Sequence, residues 1–63
     1  MKIYLKEIRQ KRKLTLIRLS TLTGISKTHL NDIETGKKSP TIEILCKISI
    51  VLQVNITDLF ECE

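Results

Sequence analysis

Residues 15–36 read TLIRLSTLTGISKTHLNDIETG, and the fold turns on where this stretch starts, stops and starts again. Thr15 can cap a helix, because its hydroxyl oxygen accepts from an otherwise unpaired first-turn amide. Leu16, Leu19 and Leu22 follow at three-residue spacing, and Gly24 supplies a stop. Ser26 repeats the cap, Leu30 and Ile33 form the inward side of the next helix, and Gly36 can take the left-handed conformation that ends it. The two predicted helices span residues 16–23 and 27–34. Only Gly24, Ile25 and Ser26 separate them, and so short a break forces two short helices to cross steeply, as a helix-turn-helix unit does.

The same periodicity continues outward in both directions. Upstream, residues 3–12 form a predicted helix with Leu5 and Ile8 on one face and Arg9 beside them. Downstream, Lys37 to Pro40 read as a loop and Thr41 caps a helix over residues 42–52, whose stripe of Ile42, Leu45, Ile48, Ser49 and Leu52 has the width of a core face. Asn55, with Asp58 three residues on, opens a last short helix over 56–60 that turns Leu59 and Phe60 inward. Strand signals are poor, with two aromatics and no run of strict alternation. The expectation is an all-α chain, a compact five-helix bundle forming one domain over residues 1–63.

Composition narrows the function. At 41% hydrophobic and 29% charged, the chain is globular in type. The most hydrophobic stretch, Ile42 to Val54, is interrupted by Lys47 and Gln53 and falls short of the roughly 18 apolar residues that a membrane span needs. Met1 to Arg12 is basic without an apolar signal core, which makes the cytoplasm the expected compartment. Two cysteines and His29 complete neither a disulfide framework nor a four-ligand zinc site, so no metal and no cofactor are expected. Cys46 reads as a small core or core-edge residue and Cys62 as exposed tail. With no glycine-rich phosphate loop and His29 lacking an orienting partner, the residues do not make an enzyme.

The net charge of +4 conceals a division. Residues 1–40 hold ten Lys and Arg against Glu7, Asp32 and Glu34, a balance of +7, whereas residues 41–63 hold Lys47 against Glu43, Asp58, Glu61 and Glu63, a balance of −3. A polyanion would meet the first part. With Leu30 and Ile33 turned inward, the third helix presents Lys27, Thr28, Asn31, Asp32 and Thr35 outward. These are residue types that read bases: Asn can pair with adenine in bidentate fashion, Lys donates to guanine, Asp accepts from cytosine, and the Thr methyl meets that of thymine.

These residues, in this order, carry a resemblance. Leu5, Ile8 and Arg9, then Leu14-Thr15, Gly24-Ile25-Ser26, Leu30, Ile33-Glu34-Thr35-Gly36-Lys37, Pro40-Thr41 and Val54 to Phe60 are similar to the helix-turn-helix domain of phage repressor and Cro proteins, the Xre family. The resemblance implies a sequence-specific transcriptional regulator, more often a repressor, that binds double-stranded DNA with helix three in the major groove. Lys27, Thr28, Asn31 and Asp32 are then the candidates for base contact, and Thr15, Ser26, Thr35, Lys37 and Lys38 those for phosphate contact. Arg9 and Glu34, beside core residues of helices one and three, are expected to form a buried or half-buried ion pair.

Departures from the family pattern mark other surfaces. Leu16 stands where the family usually has a glutamine, Lys13 where a glycine or asparagine commonly ends helix one, and Ile17, Leu22, Ile44 and Ile50 where polar residues are common. A homodimer built from the C-terminal helices is expected, with Ile44, Ile50 and Val51 at its interface and an approximately palindromic operator as its target. The rival from another class is a protein-interaction module, with a protein partner in place of DNA, on the same fold.

Overall fold

Four α-helices and one turn of 3-10 helix surround an aliphatic centre in the computed structural model, which describes residues 1–62. Glu63, the last residue of the expected domain, lies outside the described residues. The helices are α1 (Leu5–Lys11), α2 (Leu16–Thr23), α3 (Lys27–Glu34) and α4 (Ile42–Leu52). Their starts are written in hydroxyl chemistry. Thr15 Oγ1 accepts the Arg18 N–H at 3.0 Å, Ser26 Oγ accepts that of His29 at 3.1 Å, and Thr41 Oγ1 accepts that of Ile44 at 3.2 Å. Each such cap contributes about 1 kcal/mol. α1 starts differently, since Tyr4 offers no side-chain cap.

One cluster of nine buried residues joins all the helices: Leu5, Leu19, Ile25, Leu30, Ile33, Leu45, Ile48, Leu52 and Leu59. Burying one such side chain fully stabilises the fold by roughly 1.5–3 kcal/mol. Ser49 is the buried polar residue among them, and its hydroxyl donates to the Cys46 carbonyl at 2.8 Å.

The structure corrects the sequence reading at both ends of the chain. Lys2–Ile3 (β1) and Phe60–Glu61 (β2) form a two-residue antiparallel ladder, with Lys2 opposite Glu61 and Ile3 opposite Phe60. The ladder extends inward through the Tyr4 N–H, which donates to the Leu59 carbonyl at 2.8 Å. Helix one therefore starts at Leu5 and not at Ile3. The expected fifth helix is a single 3-10 turn, Ile56–Asp58, and Phe60 belongs to the ladder, because its backbone is paired with the N-terminus. Asn55 and Asp58 do close that turn, the Asn55 N–H donating to the Asp58 carboxylate at 3.1 Å.

Two side chains also lie elsewhere than expected. Ile42 is 64% exposed: a helical Cα–Cβ bond tilts toward the N-terminus, so the side chain of the first helical residue reaches past the packed turns. Cys46 is exposed because it lies about 125° around α4 from the stripe of Leu45, Ile48 and Leu52.

Candidate nucleic-acid interface

The break between α2 and α3 is fixed by more than its glycine. Gly24 takes φ 75°, ending α2 in the left-handed conformation. Thr23 Oγ1 donates to the Leu19 carbonyl at 2.8 Å and accepts the Ile25 N–H at 3.2 Å, and the Ser20 hydroxyl donates to the Ile25 carbonyl. Both polar groups of Ile25 are thus paired while its side chain enters the core. Leu30 and Ile33, both fully buried, then fix the rotation of α3 about its axis.

That rotation leaves Lys27, Thr28 and Asn31 exposed, with Asp32 half-buried beside them. The two caps, Thr15 and Ser26, each use an oxygen lone pair on their own helix, which leaves the hydroxyl proton available to an acceptor outside. Thr35 differs, because its hydroxyl already donates to the Asn31 carbonyl at 3.0 Å. Lys37 and Lys38 are exposed, and both backbone N–H groups donate to the Asp32 carbonyl, at 2.8 and 3.2 Å. The end of α3 thereby holds the two cationic residues of the loop.

Arg9 is the tie between this unit and the rest of the fold. Its Nε donates to Glu34 Oε2 at 2.6 Å and Nη2 to Oε1 at 3.2 Å, a bidentate pair with side-chain exposures of 11% and 4%. Its Nη1 donates to the Leu14 carbonyl at 2.8 Å. One guanidinium therefore fastens α1, the loop before α2 and the end of α3. All the other Lys and Arg residues of the chain are exposed.

The four helix N-termini differ in charge. A helix start carries partial positive charge, so Asp or Glu in the first turn stabilises it. α1 has Glu7 there and α4 has Glu43. α2 and α3 have no acidic residue in the first turn and carry Arg18 and Lys27 instead. Sequence reasoning passed over Arg18, although a cation in the first turn after Thr15 is the signal that would have found it. Leu16 packs half-buried against the core, so α2 offers an outside anion Thr15, Arg18 and its backbone amides.

The residues expected to pair two copies do not lie together. Ile50 is 75% exposed, whereas Ile44 and Val51 are half-buried against the core. Among the described residues there is no cluster of His, Cys, Asp or Glu that could hold a metal ion, and no helix long and apolar enough to cross a membrane.

The family described as Helix-turn-helix (HTH_3) matches residues 5–59, from the first residue of α1 to the last core leucine. The chain belongs to this helix-turn-helix family. It is 46% identical over 50 residues to the HTH-type transcriptional regulator SutR of Escherichia coli K12, covering 79% of this chain and 28% of that protein. It is 34% identical over 56 residues to the HTH-type transcriptional regulator SlrR of Bacillus subtilis 168, covering 87% of this chain and 37% of that one. The crystal structure of an HTH_3 family transcriptional regulator from Vibrio cholerae superposes with a TM-score of 0.78 at 44% identity, over 82% of this chain and 29% of that one. The chain thus spans about a third of the length of the helix-turn-helix proteins it matches.

Proposed function

We propose that the chain is a sequence-specific DNA-binding transcriptional regulator that lays α3 in the major groove and represses by occupying its operator. The observation that carries this reading is the outward side of α2 and α3: two helix N-termini with cations in place of acids, beside an exposed Lys27, Thr28 and Asn31. Lys27, Thr28, Asn31 and Asp32 contact or border the bases. Thr15, Ser26, Lys37 and Lys38 hold phosphates, and Thr35 joins them once its hydroxyl turns from the Asn31 carbonyl. The relatives' names, transcriptional regulators of the HTH type, support the same reading.

Two copies would act on an approximate palindrome with half-sites about 34 to 36 Å apart, one turn of DNA. The acidic half of the chain, which includes α4, is turned to the pairing and the basic half to DNA.

Exposed Ile17, Leu22 and Ile50 favour the second reading, a protein-interaction module without specific DNA binding. A gel shift on genomic fragments across a salt series, followed by footprinting, separates the two. The proposal expects a protected, roughly palindromic site whose affinity falls steeply with salt. Binding that is absent at low salt, or equal for all fragments, favours the interaction module or non-specific attachment.

A further inference from the structure

The outer side of α4 carries residues that neither the core nor the ion pair of that helix uses. Ile42, Cys46 and Ile50 are spaced four apart, so at about 100° per residue they fall in a strip about 80° wide. Ile42 is 64% exposed, Ile50 is 75% exposed, and Cys46 between them is exposed as well. Glu43 and Lys47 run alongside, 3.8 Å apart. Single exposed apolar residues need no explanation. Three in line, over a rise of about 12 Å, make a seam.

The geometry points to a second copy of this chain seated on that seam, with the two α4 helices antiparallel and the two-fold axis passing by Cys46. This rests on the homodimer reading above and assigns it a face. The spacing is self-complementary: a two-fold axis at Cys46 sets each Ile42 against the second copy's Ile50 and Cys46 against its own equivalent. The charges agree. In an antiparallel pair, the flank that bears Glu43 and Lys47 meets the same flank running the other way, which brings each Glu43 within a turn of the second copy's Lys47. A parallel pair would set that flank against the far side of the seam, where α4 turns into its own core at Leu45 and Ser49 and carries no charge. A seam of three side chains buries less than the roughly 1,200 Å² of a stable interface, so the dimer is weak and concentration-dependent.

Cys46 makes the arrangement testable. The 63-residue chain carrying Cys62→Ser would be sedimented at concentrations up to about 1 mM and treated with diamide, which takes up the two hydrogens when two thiols join as a disulfide. The expected result is a concentration-dependent dimer that becomes covalent through Cys46. Ile42→Glu with Ile50→Glu should weaken it by about tenfold or more, because unpaired charges would enter the apolar contact. The thermal melting of that variant should match the parent, both positions being exposed, so that loss of the dimer is not loss of the fold. A dimer that survives the two glutamates overturns the seam and leaves the homodimer reading standing. A dimer that they abolish but that Cys46 does not crosslink overturns the antiparallel register. A parent chain that stays monomeric throughout overturns both the seam and the homodimer, and a gel shift on the same sample then reports separately on DNA binding.

Discussion

Helices α3 and α4 are both capped by a hydroxyl at the residue before the helix, and both bury aliphatic side chains completely, Leu30 and Ile33 in one, Ile48 in the other. Their outer sides differ in kind. α3 shows water Lys27, Thr28 and Asn31, short or flexible polar groups with both donors and acceptors. α4 shows it Ile42, Cys46 and Ile50 with one ion pair beside them. The buried side of each helix answers to the common core, which any aliphatic residue of suitable volume satisfies. The outer side is released from that constraint, so its chemistry is what the two proposed partners would meet: base edges and phosphates at α3, a second apolar surface at α4.

The comparison supposes that α3 is held rigidly, and the largest expected effect tests that. Glu34→Ala or Arg9→Ala leaves a mostly buried charge unpaired, and each should lower unfolding free energy by roughly 3 to 5 kcal/mol. Glu43→Ala removes the exposed pair with Lys47 and the first-turn acid of α4, both in contact with water, and should cost about 1 kcal/mol or less. Denaturant titration of the three variants measures all of this, and equal losses at Glu34 and Glu43 would break the distinction. The next effect sharpens it. Ser26→Ala and Thr41→Ala should each cost about 1 kcal/mol of stability, but only Ser26→Ala should also weaken DNA binding in a gel shift. If Thr41→Ala weakens it as much, the two helix starts are not differently employed.

The smallest effect concerns two residues with positive φ that are not glycine, Lys13 and Gln53, both at 57°. Replacement by glycine relieves a steric cost, and Gln53→Gly should raise stability by about 0.5 kcal/mol, read as an increase in the denaturant midpoint. A decrease would mean that the Gln53 side chain holds the end of α4.

Most of the central fold was legible, for reasons that can be named. Thr15, Gly24, Ser26, Gly36 and Thr41 are local signals whose meaning depends on their own backbone, and the apolar spacing between them settles the core face of α2 to α4. The ladder of Lys2–Ile3 with Phe60–Glu61 was not legible, because two residues show no alternation and the pairing joins opposite ends of the chain. The end of α4 at Leu52 was legible although no glycine marks it, and Gln53 takes the left-handed conformation there. At the candidate site the outward residues of α3 followed from where Leu30 and Ile33 point. The locking of the turn by Ser20 and Thr23 did not, since a hydroxyl inside a helix gives no sign of which carbonyl it will meet. Ile42 was misplaced because it stands in the first turn of α4, and Cys46 because its residue type, and not its angle on the helix, was taken as the sign of burial.

The central claim is that the outer side of α3 reads sequence while the loop after it only grips, and one paired measurement tests it most directly. Binding of Asn31→Ala and Lys37→Ala to the footprinted operator and to its single-base variants would be measured across a salt series. Asn31→Ala should lose about 1 to 3 kcal/mol of discrimination at one base pair and keep the salt dependence of the parent. Lys37→Ala should weaken every sequence alike and lower the salt slope by about one unit. The account is contradicted if Lys37→Ala changes which base is preferred while Asn31→Ala leaves preference untouched.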